Sequence, residues 1–191
     1  MNSNLLFANI SKHIEITYED RELIIGSFEE YSLSKNDFIL RQGHPCKYIN
    51  FINEGTLRAF FSSPNGKEST LMFAVEGWWI TDMYCFLNRQ PAMVNIQAVE
   101  QCNILQISKK NLYMLFDSIT SFDKFFRILM QNAYCREQLR MIQNLSLPAQ
   151  ERYKNFISKY PQIANKVPLK HIASYLGVTP EFLSTIRANK N

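Results

Sequence analysis

Metal and sulfur chemistry have little to build on in this chain. Its 191 residues include four cysteines, Cys46, Cys85, Cys102 and Cys135, and three histidines, His13, His44 and His171, all far apart. No close cysteine pairs give a metal-ligand rhythm, so buried free thiols are expected and no metal site. A glycine-rich phosphate loop is missing. No serine or cysteine stands in a recognisable nucleophile setting, and no paired acids stand apart from ordinary surface residues. The expectation is a protein that is not an enzyme and carries no cofactor. The opening residues lack a basic-then-apolar pattern, and the longest apolar runs are far shorter than a membrane span. No membrane association and a cytoplasmic location follow as expectations.

What is present suits a folded domain. With 46% of residues apolar and 13% aromatic, the chain has ample material for a core. Its length accommodates one large domain, or one of about 120 residues with a smaller helical appendage. The formal charge of +4 is unevenly spread. Residues 1–108 carry eight Lys/Arg against twelve Asp/Glu, whereas residues 109–191 carry thirteen against five. A C-terminal half with a net charge of +8 is what a phosphate backbone would attract, although basic helices also serve as plain soluble surface.

Residues 1–29 read as helical. Leu5, Leu6 and Ile10 make one apolar face, and Thr17 caps a second helix with Glu19 and Asp20 in its first turn and Leu23, Ile24 and Phe28 as its stripe. From Tyr31 to Ile107 the texture changes to short strand-like runs at 38–40, 48–52, 56–61, 69–75, 95–99 and 104–107. Turn formers separate them, Asn65-Gly66 being the sharpest hairpin signal. Runs of this length and spacing predict an antiparallel β-barrel or jelly roll rather than a layered α/β domain, so the class is α+β. Helices resume at Lys109. The longest, Phe122 to Leu145, repeats Phe122, Phe126, Leu129, Ala133 and Arg136 at three or four residues, with a second stripe through Phe125, Ile128, Tyr134 and Met141. One face suits the barrel. The other needs a partner, either a second copy of the chain or the N-terminal helices of a monomer.

The last readable unit runs from Val167 to Arg187. Pro168 suits a helix's first turn, and Leu169, Ile172, Ala173 and Leu176 line one face. Gly177 can adopt the left-handed conformation that ends a helix. Thr179, Pro180 and Glu181 then read as the cap, first residue and dipole-complementing acid of a second helix, over which Val178, Leu183 and Ile186 close. The pieces make a helix-turn-helix, or an ordinary helical hairpin.

This stretch resembles the C-terminal motif of the Crp/Fnr family of bacterial transcription regulators, in particular its short members of the Bacteroidetes type. Nearly every position from Pro168 to Arg187 matches. Phe182 stands where a small or polar residue is usual, and Thr185 where an arginine is common. Lys35 to Gly43 and Tyr48 to Gly55 resemble the opening of that family's cyclic-nucleotide-binding-like barrel, so the likeness covers roughly residues 15–187. It implies two domains. Residues 1–145 would form the barrel with N-terminal helices and a dimerisation helix, and 148–191 a helix-turn-helix domain without a wing. The oxygen-sensing branch with its N-terminal cysteine cluster is not matched, because no cysteine precedes Cys46.

The resemblance further implies a homodimer that reads duplex DNA at two sites, joined through Phe122, Phe126, Leu129, Ala133 and Arg136. Thr179, Glu181, Phe182, Thr185 and Arg187 would face the major groove, with Lys166, Lys170, His171, Arg187 and Lys190 near phosphates. In cyclic-nucleotide-binding members a glycine, a glutamate and an arginine hold the nucleotide. Here Gly77 matches and Asp82 stands near the glutamate, but the arginine position falls on Ala92. Tight binding of cyclic AMP or cyclic GMP is therefore not expected. Trp78, Trp79, Asp82 and Arg89 are the candidates for a pocket taking a different small effector, core packing being the other role open to the tryptophans. The alternative to a DNA reader is a sensing or protein-interaction module of the same fold.

Overall fold

The computed structural model describes residues 2–188. Two helices open the chain, α1 (Asn4–Ile10) and α2 (Tyr18–Ser27). The start of α2 is fixed by a reciprocal cap: Thr17 Oγ1 accepts from Asp20 N at 3.1 Å, and the Asp20 carboxylate accepts from Thr17 N at 2.8 Å. Its end comes earlier than residue 29. Phe28 opens strand β1 (Phe28–Leu33), pairing with Ile107, and Leu23 is exposed. Pairing to a strand some eighty residues away outweighs local helical periodicity there, and a sequence window cannot register it.

Seven further strands follow: β2 (Phe38–Leu40), β3 (Tyr48–Glu54), β4 (Thr56–Ser62), β5 (Glu68–Val75), β6 (Trp79–Ile80), β7 (Asn95–Ala98) and β8 (Cys102–Ser108). They form two four-stranded antiparallel sheets ordered β1-β8-β3-β6 and β2-β7-β4-β5, a jelly roll. A short helix, α3 (Met83–Asn88), interrupts it between β6 and β7. Side chains alternate across the sheets, so Leu33, Ile52, Leu57, Ile80, Ile96 and Ile104 fill the barrel.

Outside the barrel, α1 and α2 combine with α4 (Lys109–Ser118) and the first turns of α5 (Phe122–Ser146) over Phe51, Leu105 and Trp79. The C-terminal helices are α6 (Ala149–Lys159), α7 (Pro161–Lys166), α8 (Leu169–Leu176) and α9 (Pro180–Ala188). Pro161 ends α6 and at once opens α7, while Pro168 caps α8 instead of forming its first turn. Tyr153, Phe156, Ile163, Ile172, Leu176, Leu183 and Ile186 make their shared core, and Phe73 and Val75 of β5 join it. Burying such a side chain contributes roughly 1.5–3 kcal/mol, against about 1 kcal/mol for a hydrogen bond. Apolar contact thus holds the helices on the barrel, and polar contacts set their position.

Candidate nucleic-acid interface and effector cavity

α8 and α9 form the helix-turn-helix read from the sequence. Gly177 turns the chain at φ +70°, and Thr179 Oγ1 accepts from Phe182 N at 3.2 Å to start α9. Leu183 and Ile186 point into the core, leaving Thr179, Glu181, Phe182, Thr185 and Arg187 on the outer face, with Phe182 51% exposed. The Thr185 hydroxyl donates to Glu181 O at 3.1 Å, so it is turned back onto its own helix. Arg152 donates to Leu147 O and Leu176 O, both at 2.9 Å, fastening α6 beneath α8. Lys170 is exposed, and Lys190 lies outside the described residues.

Two of the expected phosphate contacts are engaged elsewhere in this arrangement. Lys166 pairs with Glu100 at 3.1 Å and Glu76 at 3.9 Å, both on the barrel. His171 meets Arg58 of β4, whose guanidinium also pairs with Glu68 and lies 3.8 Å from the Phe60 ring centroid. Arg58 is 1% exposed, and desolvation lowers its pKa, opposed by the bond to Glu68. Burial first, then the charges of Arg58 and Lys170, push His171 down to about 4. Its ring is therefore neutral at physiological pH and accepts from Arg58. Ser174 adds a second tie: its hydroxyl accepts from Thr70 N and donates to Glu68 O, each at 2.9 Å. From α5, Arg140 donates to the carbonyls of Leu71, Thr70 and Tyr175.

The sequence assigns no tethering role to Arg58, Ser174 or Arg140. A signal existed for the first, since an arginine in the middle of Leu57-Arg58-Ala59-Phe60 breaks an otherwise apolar strand.

Between barrel and α5 lies a cavity of about 650 Å³ lined by Trp78, Trp79 and Asp82 with Met72, Met93 and Leu129. Trp79 is largely structural. Its ring packs on Phe28, Phe51 and Phe125, and its N–H donates to Asn9 Oδ1 at 3.0 Å. Trp78 packs edge-on against Tyr160, with Arg136 5.0 Å from its ring centroid, so it touches cavity, α5 and C-terminal helices together. Asp82 caps α3 through Cys85 N at 3.2 Å and also accepts from Met93 N at 2.8 Å. Arg89 departs from the expected set: it ends α3 and lines a different cavity. Ala92 is buried, its N–H donating to His44 O. The Arg136 guanidinium, the cavity's arginine, is already committed to Trp78 and to Glu137 at 3.8 Å.

On α5 the expected dimerisation stripe divides. Phe122 is 1% exposed against Phe116 and Phe125, so it belongs to the subunit's own core and is out of reach of a second subunit. Phe126, Leu129, Ala133 and Arg136 are half-buried. The most open apolar residues of α5 are instead Tyr134, Met141, Ile142 and Leu145, exposed by 69%, 65%, 53% and 84%, with Leu139 open by 44%. Tyr134, Met141 and Leu145, seven and four residues apart, share one helical face. Of the cysteines, Cys85 and Cys102 are buried and Cys46 half-buried, with burial raising all three thiols, Cys102 to about 11. Cys135, on α5, is exposed, contrary to the expectation for it.

Residues 30–118 match the family model described as "Cyclic nucleotide-binding domain". No curated protein matches the chain in sequence. Among solved structures, FixK2 from Bradyrhizobium japonicum is similar over 85% of this chain and 83% of its own, with 15% identity and a TM-score of 0.74. The c-di-GMP-responsive global regulator CLP from Xanthomonas campestris is similar over 91% of both chains, with 14% identity and a TM-score of 0.68. A regulator of the Crp/Fnr family from Eubacterium rectale is similar over 90% of this chain and 82% of its own, with 17% identity and a TM-score of 0.68. Residues 30–118 thus resemble a cyclic nucleotide-binding domain, and the chain as a whole, jelly roll, long helix and helix-turn-helix in that order, has the fold of these Crp/Fnr-type regulators.

Proposed function

We propose that the protein is a DNA-binding transcription regulator that acts as a homodimer on an inverted repeat. The observation that carries this reading is the open outer face of α9, where Glu181, Phe182, Thr185 and Arg187 stand exposed over a closed core, in the basic half of the chain. Glu181 suits a cytosine amino group, Phe182 a thymine methyl, and Arg187 a guanine edge or phosphate. The exposed face of Tyr134, Met141 and Leu145 supports pairing of α5 with its copy, which would set two α9 helices about 34 Å apart along the duplex. Sedimentation at micromolar concentration should then give a species near twice 22.4 kDa, and Met141→Glu should give a monomer with loss of two-site binding.

The effector, on this reading, is an uncharged or apolar small molecule held between Trp78, the methionines and α5. A cyclic nucleotide fits poorly. The Asp82 carboxylate, already accepting from two N–H donors, would repel a phosphate, and among the described residues the one arginine lining the cavity, Arg136, lies against Trp78 and Glu137. Calorimetry with cyclic AMP and cyclic GMP should show no micromolar affinity.

Selection from a random duplex library, followed by binding at 50 and 200 mM salt, tests the DNA reading. An inverted repeat should be enriched, Glu181→Ala should lose preference at one position, and Lys170→Ala should flatten the salt dependence by about one phosphate contact. The exposed Phe182 and the inward-turned His171 favour a second reading, a protein-interaction module. Failure to enrich any sequence, with neither variant altering binding, would establish that one instead.

A further inference from the structure

A second cavity, of about 820 Å³, shares no lining residue with the first. Its cations come from three segments: Lys47 ahead of β3, Arg89 at the end of α3, and Lys109 and Lys110 at the start of α4. None of its lining residues is acidic. Lys47, Arg89 and Lys110 form no ion pair or side-chain hydrogen bond among the described residues, while Lys109 is anchored by donating to Leu87 O at 2.6 Å. Lys47, Arg89 and Lys110 are exposed, so water screens much of their mutual repulsion, but among the described residues no carboxylate lines the cavity to pair with them.

Two local compromises point into the same cavity. α4 begins with two lysines at the positive end of its dipole and has no acid in its first turn, the reverse of the stabilising arrangement. Arg89 ends α3 in the left-handed region at φ +56°, where glycine would serve without strain. Arg89, Lys109 and Lys110 all line that cavity. The remaining lining is apolar: Phe86, Pro45 and Pro91 lie at the wall, and Tyr113, 49% exposed, offers a ring 5.7 Å from the Lys109 ammonium.

We propose that this cavity binds a small diphosphate-bearing ligand with an aromatic body, of the nucleoside diphosphate class. A diphosphate carries about three negative charges at neutral pH, matching the three unpaired cations, and Tyr113 supplies a stacking surface for a base. The concave form and volume suit a small ligand rather than a flat acidic protein face. The proposal does not depend on the DNA reading, since no residue is shared.

The test is calorimetry on the full chain with ADP, inorganic pyrophosphate, adenosine and a poly-glutamate peptide, using wild type, Lys110→Gln, Lys47→Gln and Arg89→Gly. ADP is expected to bind, pyrophosphate about tenfold more weakly for want of the stacking contribution, and adenosine not at all. Each variant should weaken ADP about tenfold by removing one charge-assisted contact. Without ligand, Lys110→Gln and Arg89→Gly should melt higher than wild type, which separates lost anion binding from lost folding. Absence of ADP binding at millimolar concentration, equal binding of adenosine, affinity unchanged in all three variants, or binding of poly-glutamate alone would each overturn the proposal.

Discussion

Asp82 shows how a single side chain closes one ligand chemistry and leaves another open. Its carboxylate joins the start of α3 to the backbone of Met93 in a site that is 7% exposed. Asp82→Ala leaves both N–H groups without a partner, and urea unfolding should show a loss of about 1–3 kcal/mol. Gly55 is a different kind of constraint. At φ +94° between β3 and β4, an added Cβ would lie 2.4 Å from Gln101 O and 2.7 Å from Cys102 Sγ. Strain and clash act together, so Gly55→Ala should cost about 2–4 kcal/mol by the same assay, more than an alanine at the open Gly43 position. As a turn residue Gly55 was legible in the sequence. The neighbour that forbids a side chain there was not, because Cys102 is brought beside it by pairing of β3 with β8.

Among elements, the seat of α8 against β5 is the most sensitive to conditions. His171 is neutral beside Arg58, its pKa about 4 against an ordinary 6.5. A histidine with a depressed value favours the docked state above its ordinary pKa. As pH falls from about 6.5 towards 4, the undocked form takes up a proton that the docked form resists, and docking weakens across that window. The Thr70 amide, bonded to Ser174 Oγ, reports it. Its hydrogen-exchange protection factor should fall between pH 7 and pH 5, and His171→Gln should flatten the dependence. Equal protection at both pH values would remove His171 from this role. Most strands and the longer helices were read from the chain because periodicity and caps are local. β1, β6 and α7 were not, the two strands being set by pairing with distant β8 and β3 and α7 being a short helix opened by the same Pro161 that ends α6. Which stripe of α5 is free was not legible: its apolar residues run around the helix, and only the packing of Phe116 on Phe122 shows which are taken.

For the molecule as a whole, the broad order of elements and the charge contrast between halves were readable, since both follow from how residue types are distributed along the chain. The attachment of the C-terminal helices to the barrel was not. It depends on Arg58 and Arg140, single residues without a motif, and on Ser174, whose place in the helix-turn-helix stretch does not reveal its partner, Thr70 and Ser174 meeting across more than a hundred positions of chain. That attachment has a second effect. β5 ends its sheet, so one side of its backbone has no strand beside it. Ser174 takes Thr70 N and Glu68 O, and Arg140 takes the carbonyls of Thr70 and Leu71, so two helices occupy the rim where a foreign strand would otherwise add. α5 and α8 thus cover an edge at which another strand could add. A barrel truncated after Leu147 should retain its β-rich circular dichroism yet scatter light increasingly with time, and Lys substituted at Leu71 should suppress that growth. Any motion that frees α8 for another task uncovers a sticky border, which favours a short, small-amplitude swing over full release.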